Sequence, residues 1–104
     1  MSALFNVAPA LDTTPPVISL VSATSRLGGG ELLKWTTNEA SDSQVEYGAT
    51  TAYGSSTTRN PILLLLHLQA IGGLAPGTTY HYRVRSRDKA GNLSVSADLT
   101  FKSQ

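Results

Sequence analysis

Along most of this chain apolar and polar residues alternate in short runs, and glycine, proline, aspartate and asparagine interrupt the runs at close intervals. Tyr80 to Ser86 shows this most cleanly, with Tyr80, Tyr82 and Val84 set against His81, Arg83 and Arg85. A period of two belongs to a strand with one face in a core, because successive side chains leave a pleated backbone on opposite sides. A helix would scatter the same residues around its circumference. The chain therefore reads as all-β.

The other segments follow the same logic. Asp12-Thr13-Thr14-Pro15-Pro16 is an extended entry, since paired prolines hold the backbone open and remove two donors. Residues 1–13 then form an N-terminal segment or linker, and residues 14–104 the domain. Val17 to Thr24 is a first strand, with Ile18 and Val21 toward the core, and Leu27-Gly28-Gly29-Gly30 a turn. Glu31 to Thr37 turns Leu33 and Trp35 inward and Leu32, Lys34 and Thr36 outward. Ser41 to Tyr47 is read as a separate strand with Val45 and Tyr47 inward, followed by a short connection through Tyr53 between Gly48 and Gly54. The leucine-rich run Ile62 to Ile71 suits a helix or a strand by itself. Its neighbours decide for a strand. Asp88 to Asn92 is a hairpin loop, and Leu93 to Phe101 closes the sheet as one strand with Leu99 and Phe101 inward. Seven short strands with regular turn signals indicate a sandwich.

With 104 residues the chain fits one domain, long enough to bury a modest core without staples. It has no cysteine, which excludes disulfides and thiolate metal sites. A formal charge of +1 excludes the broad basic field that nucleic acid demands. Met1 to Leu11 lacks the basic start of a signal peptide, and Ile62 to Leu66 is too short to insert in a membrane.

Several motifs coincide in order: Trp35, then Leu74-Ala75-Pro76-Gly77-Thr78-Thr79-Tyr80, then Tyr80-His81-Tyr82-Arg83-Val84 and the Asp88 to Asn92 loop. Together they resemble a fibronectin type III domain over roughly Thr14 to Phe101. The resemblance implies a seven-stranded immunoglobulin-like sandwich of two antiparallel sheets. One sheet would hold the first, second and fifth strands. It gives Tyr80 the tyrosine-corner position, its hydroxyl satisfying an upstream backbone group, and sets Leu74 beneath that corner. Asp42-Ser43-Gln44-Val45-Glu46-Tyr47-Gly48, with Tyr53-Gly54, resembles the subgroup found in bacterial secreted and surface proteins and beside the metal domain of purple acid phosphatases. That implies an extracellular or cell-surface setting. In those phosphatases the ligands lie in the other domain, so no activity carries over, and the family's Arg-Gly-Asp adhesion tripeptide is absent.

Reactive constellations are hard to assemble from these residues. His67 and His81 are isolated from any acidic cluster and make a poor metal site. Arg83, Arg85 and Arg87 share a strand face and read as a solvated surface with Glu46 as partner rather than an anion stripe. No serine falls beside a histidine and a carboxylate, no paired carboxylates or metal cluster emerge, and Gly28-Gly29-Gly30 lacks the lysine and helix of a phosphate loop. Asn92-Leu93-Ser94 matches a glycosylation acceptor, a pattern short enough to arise by chance. The expectation is a protein that is no enzyme and takes no cofactor or metal.

The leucines point elsewhere. With Gln69 and Ile71 inward, alternation puts Ile62, Leu64, Leu66, Leu68 and Ala70 outside, with Leu32 beside them on the second strand and Leu20 on the first. Each large apolar side chain left in water forgoes roughly 1.5–3 kcal/mol of burial, and a contiguous patch of them marks an interface. The sequence thus predicts a non-catalytic interaction module that binds a protein partner, a second copy foremost, through this face. A scaffold engineered for binding would show the same pattern. The alternative is a passive spacer or accessory domain of a larger bacterial secreted enzyme or surface protein, its leucines covered.

Overall fold

Residues 12–104 are described by the computed structural model; Leu4, Phe5 and Val7, apolar residues that the sequence offers for packing on this domain or on a neighbouring copy, lie outside them. The organising element is β2 (Glu31–Gly48), one 18-residue strand where the sequence suggests two. Its first half pairs antiparallel with β1 (Ile18–Ser25) and with β4 (Asn60–Ile71). Its second half pairs with β5 (Thr79–Arg87) and with the two-residue β3 (Ser55–Ser56). The change of partners runs from Thr37, the last residue paired with β1, to Gln44, the first paired with β5, and the β2–β4 register shifts within this stretch. No glycine or proline interrupts Asn38-Glu39-Ala40, so the backbone stays extended and bends instead. Asn38 braces the bend from outside, donating its N–H to the Val17 carbonyl and accepting the Val17 N–H at its Oδ1, 2.7 Å away.

The closing segment is corrected in the opposite sense. Leu93 to Phe101 is not one strand but β6 (Leu93–Val95) and β7 (Leu99–Lys102), paired with the end and the start of β5 respectively. Between them Ser96 bonds to Val84 through its own N–H and through its hydroxyl oxygen, which accepts the Val84 N–H at 2.9 Å. A side chain there takes the place of a ladder rung, and the strand breaks.

All pairings are antiparallel, and the all-β arrangement fits a sandwich whose two halves share β2. Between the halves lie Leu33, Trp35, Val45, Ile71, Tyr82, Val84 and Phe101. Tyr80 and Tyr82 both stand against the Phe101 ring, with centroids 5.6 and 5.7 Å away. Two glycines are fixed by contact, Gly30 also by its positive φ of 89°. A Cβ at Gly48 would lie 1.6 Å from the Tyr53 carbonyl oxygen, and one at Gly30 would lie 2.8 Å from that of Ile71. Among the described residues no helix is long and apolar enough to cross a membrane.

Candidate functional site: an apolar sheet face

β4 carries no charged carboxylate, lysine or arginine from Asn60 to Ile71, and it lies on the opposite side of β2 from β1. In its second half the alternation is regular: His67 and Ile71 are buried, whereas Leu66 and Leu68 are about half exposed. Leu32 stands opposite Ala70, Lys34 opposite Leu68 and Thr36 opposite Leu66. The half-buried Leu32 therefore joins Leu66, Leu68 and Ala70 on one outer surface, with the Lys34 stem between.

The first half of β4 departs from the expected alternation. Leu64 is only half-buried opposite Ser41, and Ile62 is exposed, but Leu63 and Leu65 are exposed as well. The bend in β2 draws the facing strand away from the core, so neither parity has a core to enter. Leu20 stands apart from the others. It occupies the irregularity between Ser19 and Ser22 with φ of 54°, 79 % exposed, and β2 with Lys34 and Thr36 separates it from β4. The candidate face is thus Leu32, Leu66 and Leu68, extended by Ile62 at the end of β4, while Leu63 and Leu65 are exposed on the opposite side of the strand. Leu20 is outside it.

Trp35, Leu74 and Tyr80 are structural in placement. Trp35 is fully buried and donates from Nε1 to Ser86 Oγ at 2.9 Å. Leu74 packs partly buried on the core, and the Tyr80 hydroxyl accepts the Ala75 N–H at 2.8 Å.

His67 is a residue whose setting the sequence hides. Its ring is fully buried, stacked on Trp35 at 5.0 Å between centroids and 9° between planes. The single hydrogen of the Thr37 hydroxyl goes to the Glu39 carbonyl at 2.7 Å, and Ser41 Oγ donates to the same Thr37 oxygen at 3.0 Å. Thr37 Oγ1 can then only accept from His67 Nε2, 2.9 Å away. Nδ1 is left to accept the Ser43 hydroxyl at 2.6 Å. This saturated, neutral ring ties β4 to both sides of the bend in β2. Burial pushes its pKa below the ordinary imidazole value. Its parity with Gln69 and Ile71 was the available signal.

The outer face of β5 is a network of ion pairs. Arg83 Nε and Arg85 Nη1 both donate to Glu46 Oε1, at 2.8 and 3.1 Å, and hold its carboxyl below the usual range. Arg83 also lies over the Tyr53 ring at 4.6 Å. Asp98 accepts from Tyr53 and pairs with His81, and the His81 contact lowers its pKa. Arg87 gives its backbone N–H to Asp42, whose other oxygen pairs with Arg59. The guanidinium groups of Arg83 and Arg85 are thus engaged in the way the Glu46 pairing suggests.

Three carboxylates that the sequence offers no reason to group, from Asp12, Glu39 and Asp88, come together, with one oxygen of each within 4.8 Å of the others. Residues this far apart in the chain meet only through the entry segment, the bend of β2 and the Asp88 loop. No spacing rule reaches across such separations.

The fold defines a class first: a small domain of antiparallel strands, built around one strand shared by two ladders. No family model matches the chain, and no solved structure matches it. The chain is similar to Endoglucanase B of Cellulomonas fimi, with 34% identity over 97 residues. The match takes in 90% of this chain but spans only 9% of the length of that protein.

Proposed function

We propose that this chain is a non-catalytic accessory module, a fibronectin type III-like sandwich of two sheets, within a larger extracellular bacterial enzyme that cuts glucans. The observation that carries this reading is the shape of the similarity to Endoglucanase B: nearly the whole of this chain against a small part of a much longer enzyme. A segment of that proportion is the size of one domain. Glucan chains are too large to enter a cell, so an enzyme that cuts them works outside it. Expressed alone, the chain is expected to fold and to release no reducing ends from soluble glucan. Turnover by the chain alone, lost on a point change within it, would sink the reading.

A second reading rests on the exposed leucines of β4. In it the module associates with a second copy through β4 and the face of Leu32, Leu66 and Leu68. β4 is an edge strand, and antiparallel pairing of two such edges about a twofold axis brings no like charges together. The mass of the chain by light scattering is expected to rise with concentration toward twice 11.0 kDa. The double change Leu66→Ser, Leu68→Ser should hold it at the monomer value. An unchanged mass in that variant would remove the second reading and leave the first standing.

A further inference from the structure

Asp12 lies in the entry segment, Glu39 in the bend of β2 and Asp88 in the loop between β5 and β6, and one carboxyl oxygen of each lies within 4.8 Å of the others. The charged groups that bear on Glu39 are Asp88 from the loop and Asp12 from the entry segment, both acidic. Among the described residues, none of the ion pairs involves any of the three. They are not equivalent. Asp88 is more than nine-tenths buried, yet its oxygens accept the backbone N–H and the side-chain amide of Asn92 at 2.9 and 3.0 Å. Asp12 is exposed, and its Oδ1 accepts the Thr14 N–H at 3.0 Å. Glu39 has neither help: its Oε1 is shut off from solvent and has no hydrogen-bond partner. An anion there is poorly solvated, lacks a donor and stands beside two like charges. One proton removes the conflict, because a neutral Glu39 carboxyl can donate to Asp88, which keeps its charge and its Asn92 donors.

From this geometry we infer that Glu39 and Asp88 share a proton, and that this proton is a pH-dependent latch on the entry segment, closed in acid and released toward neutral pH. The latch reaches the entry segment in two ways. The Asn92 amide that donates to Asp88 also donates to the Asp12 carbonyl at 2.8 Å, so the loop that Glu39 grips is the loop that holds Asp12. Once Glu39 ionises, Asp12 and Asp88 face a third like charge, and Asp12, on the exposed segment, is the one that can move away. The electrostatics agree. The contact with Asp88, then burial and the charge of Asp12, raise the Glu39 carboxyl above its ordinary range. Burial works to raise Asp88 too, but the Asn92 donors and the Glu39 contact outweigh it and hold that group at about 2. Asp88 therefore stays an ionised acceptor while Glu39 titrates. With its folded pKa raised, Glu39 binds its proton more tightly in the native state than in the unfolded chain. Its contribution is complete below the unfolded value and is lost as pH rises through the folded one. That is the opposite sense to the buried neutral ring of His67.

The test compares the whole 104-residue chain with Glu39→Gln, whose amide can donate to Asp88 at every pH and so mimics the closed latch. Thermal unfolding of both is followed at pH 4.0 and pH 7.5; the titration of His67 is common to the two chains and cancels in their difference. The variant is expected to match the unaltered chain within about 1 °C at pH 4.0 and to exceed its Tm by at least about 3 °C at pH 7.5. In ¹³C spectra of the unaltered chain, Glu39 Cδ should titrate above the ordinary glutamate value of about 4.3. The resonance of the Asn92 side-chain amide should move with the same midpoint, and should lose that step in Glu39→Gln. A Tm difference that is the same at both pH values, or a Glu39 that titrates at its ordinary value, would overturn the proposal. So would an Asn92 step that Glu39→Gln keeps.

Discussion

His67 shows how one buried side chain can set the pH range in which the fold is stable. Both ring nitrogens are committed in the neutral form, and the ring lies flat on Trp35. Burial depresses its pKa relative to the unfolded chain, where the value is about 6.5. Below that pH the unfolded state takes up a proton that the native state refuses, so it binds more protons and stability falls as pH falls. The urea midpoint is therefore expected to drop between pH 7.5 and 5.5. His67→Asn should lower the midpoint at pH 7.5, because the Thr37 and Ser43 hydroxyls lose their partner, and it should flatten the slope. An equally steep slope in the variant would show that another group titrates.

At the scale of elements, the connection after β2 depends on one missing methyl group. The Tyr53 carbonyl occupies the space of a Cβ on Gly48, and backbone cannot move aside as a flexible side chain can. Gly48→Ala is expected to cost about 3 kcal/mol or more in chemical denaturation, whereas Gly28→Ala, with open space around it, meets only the strain of its positive φ. A small effect at Gly48 would mean that the connection can take another path. Much at this scale was legible. The strict alternation of β5, the inward Leu33 and Trp35, the glycine turn before Glu31 and the Asp88 loop follow from period and turn chemistry. What was not legible has a common cause. Whether Asn38 to Ala40 breaks a strand or bends it, and whether Ser96 carries a rung or interrupts one, depends on partners distant in sequence. The same bend exposes Leu63 and Leu65 against their parity, encloses His67 and gathers Asp12, Glu39 and Asp88. Local pattern sees each residue's neighbours along the chain, and these features are built from neighbours across it.

At the scale of the molecule, the groups with chemical potential are mostly spent on holding the fold. Glu46 and Asp42 each take a cationic partner, Asp98 is bonded to His81 and Tyr53, and Ser43, Ser86 and Thr37 serve the His67 and Trp35 rings. The leucines of β4 are the part left facing outward. That division of labour suits a module whose contribution is position and contact within a larger assembly. The most direct test is a graft: this chain in place of the matching segment of Endoglucanase B from Cellulomonas fimi, assayed beside the chain alone on soluble glucan. The expected result is a hybrid that keeps turnover within about twofold of the unaltered enzyme, as for a change remote from the reacting groups, and no turnover by the chain alone. Hydrolysis by the chain alone, or a folded hybrid that binds glucan and fails to cut it, would contradict the account.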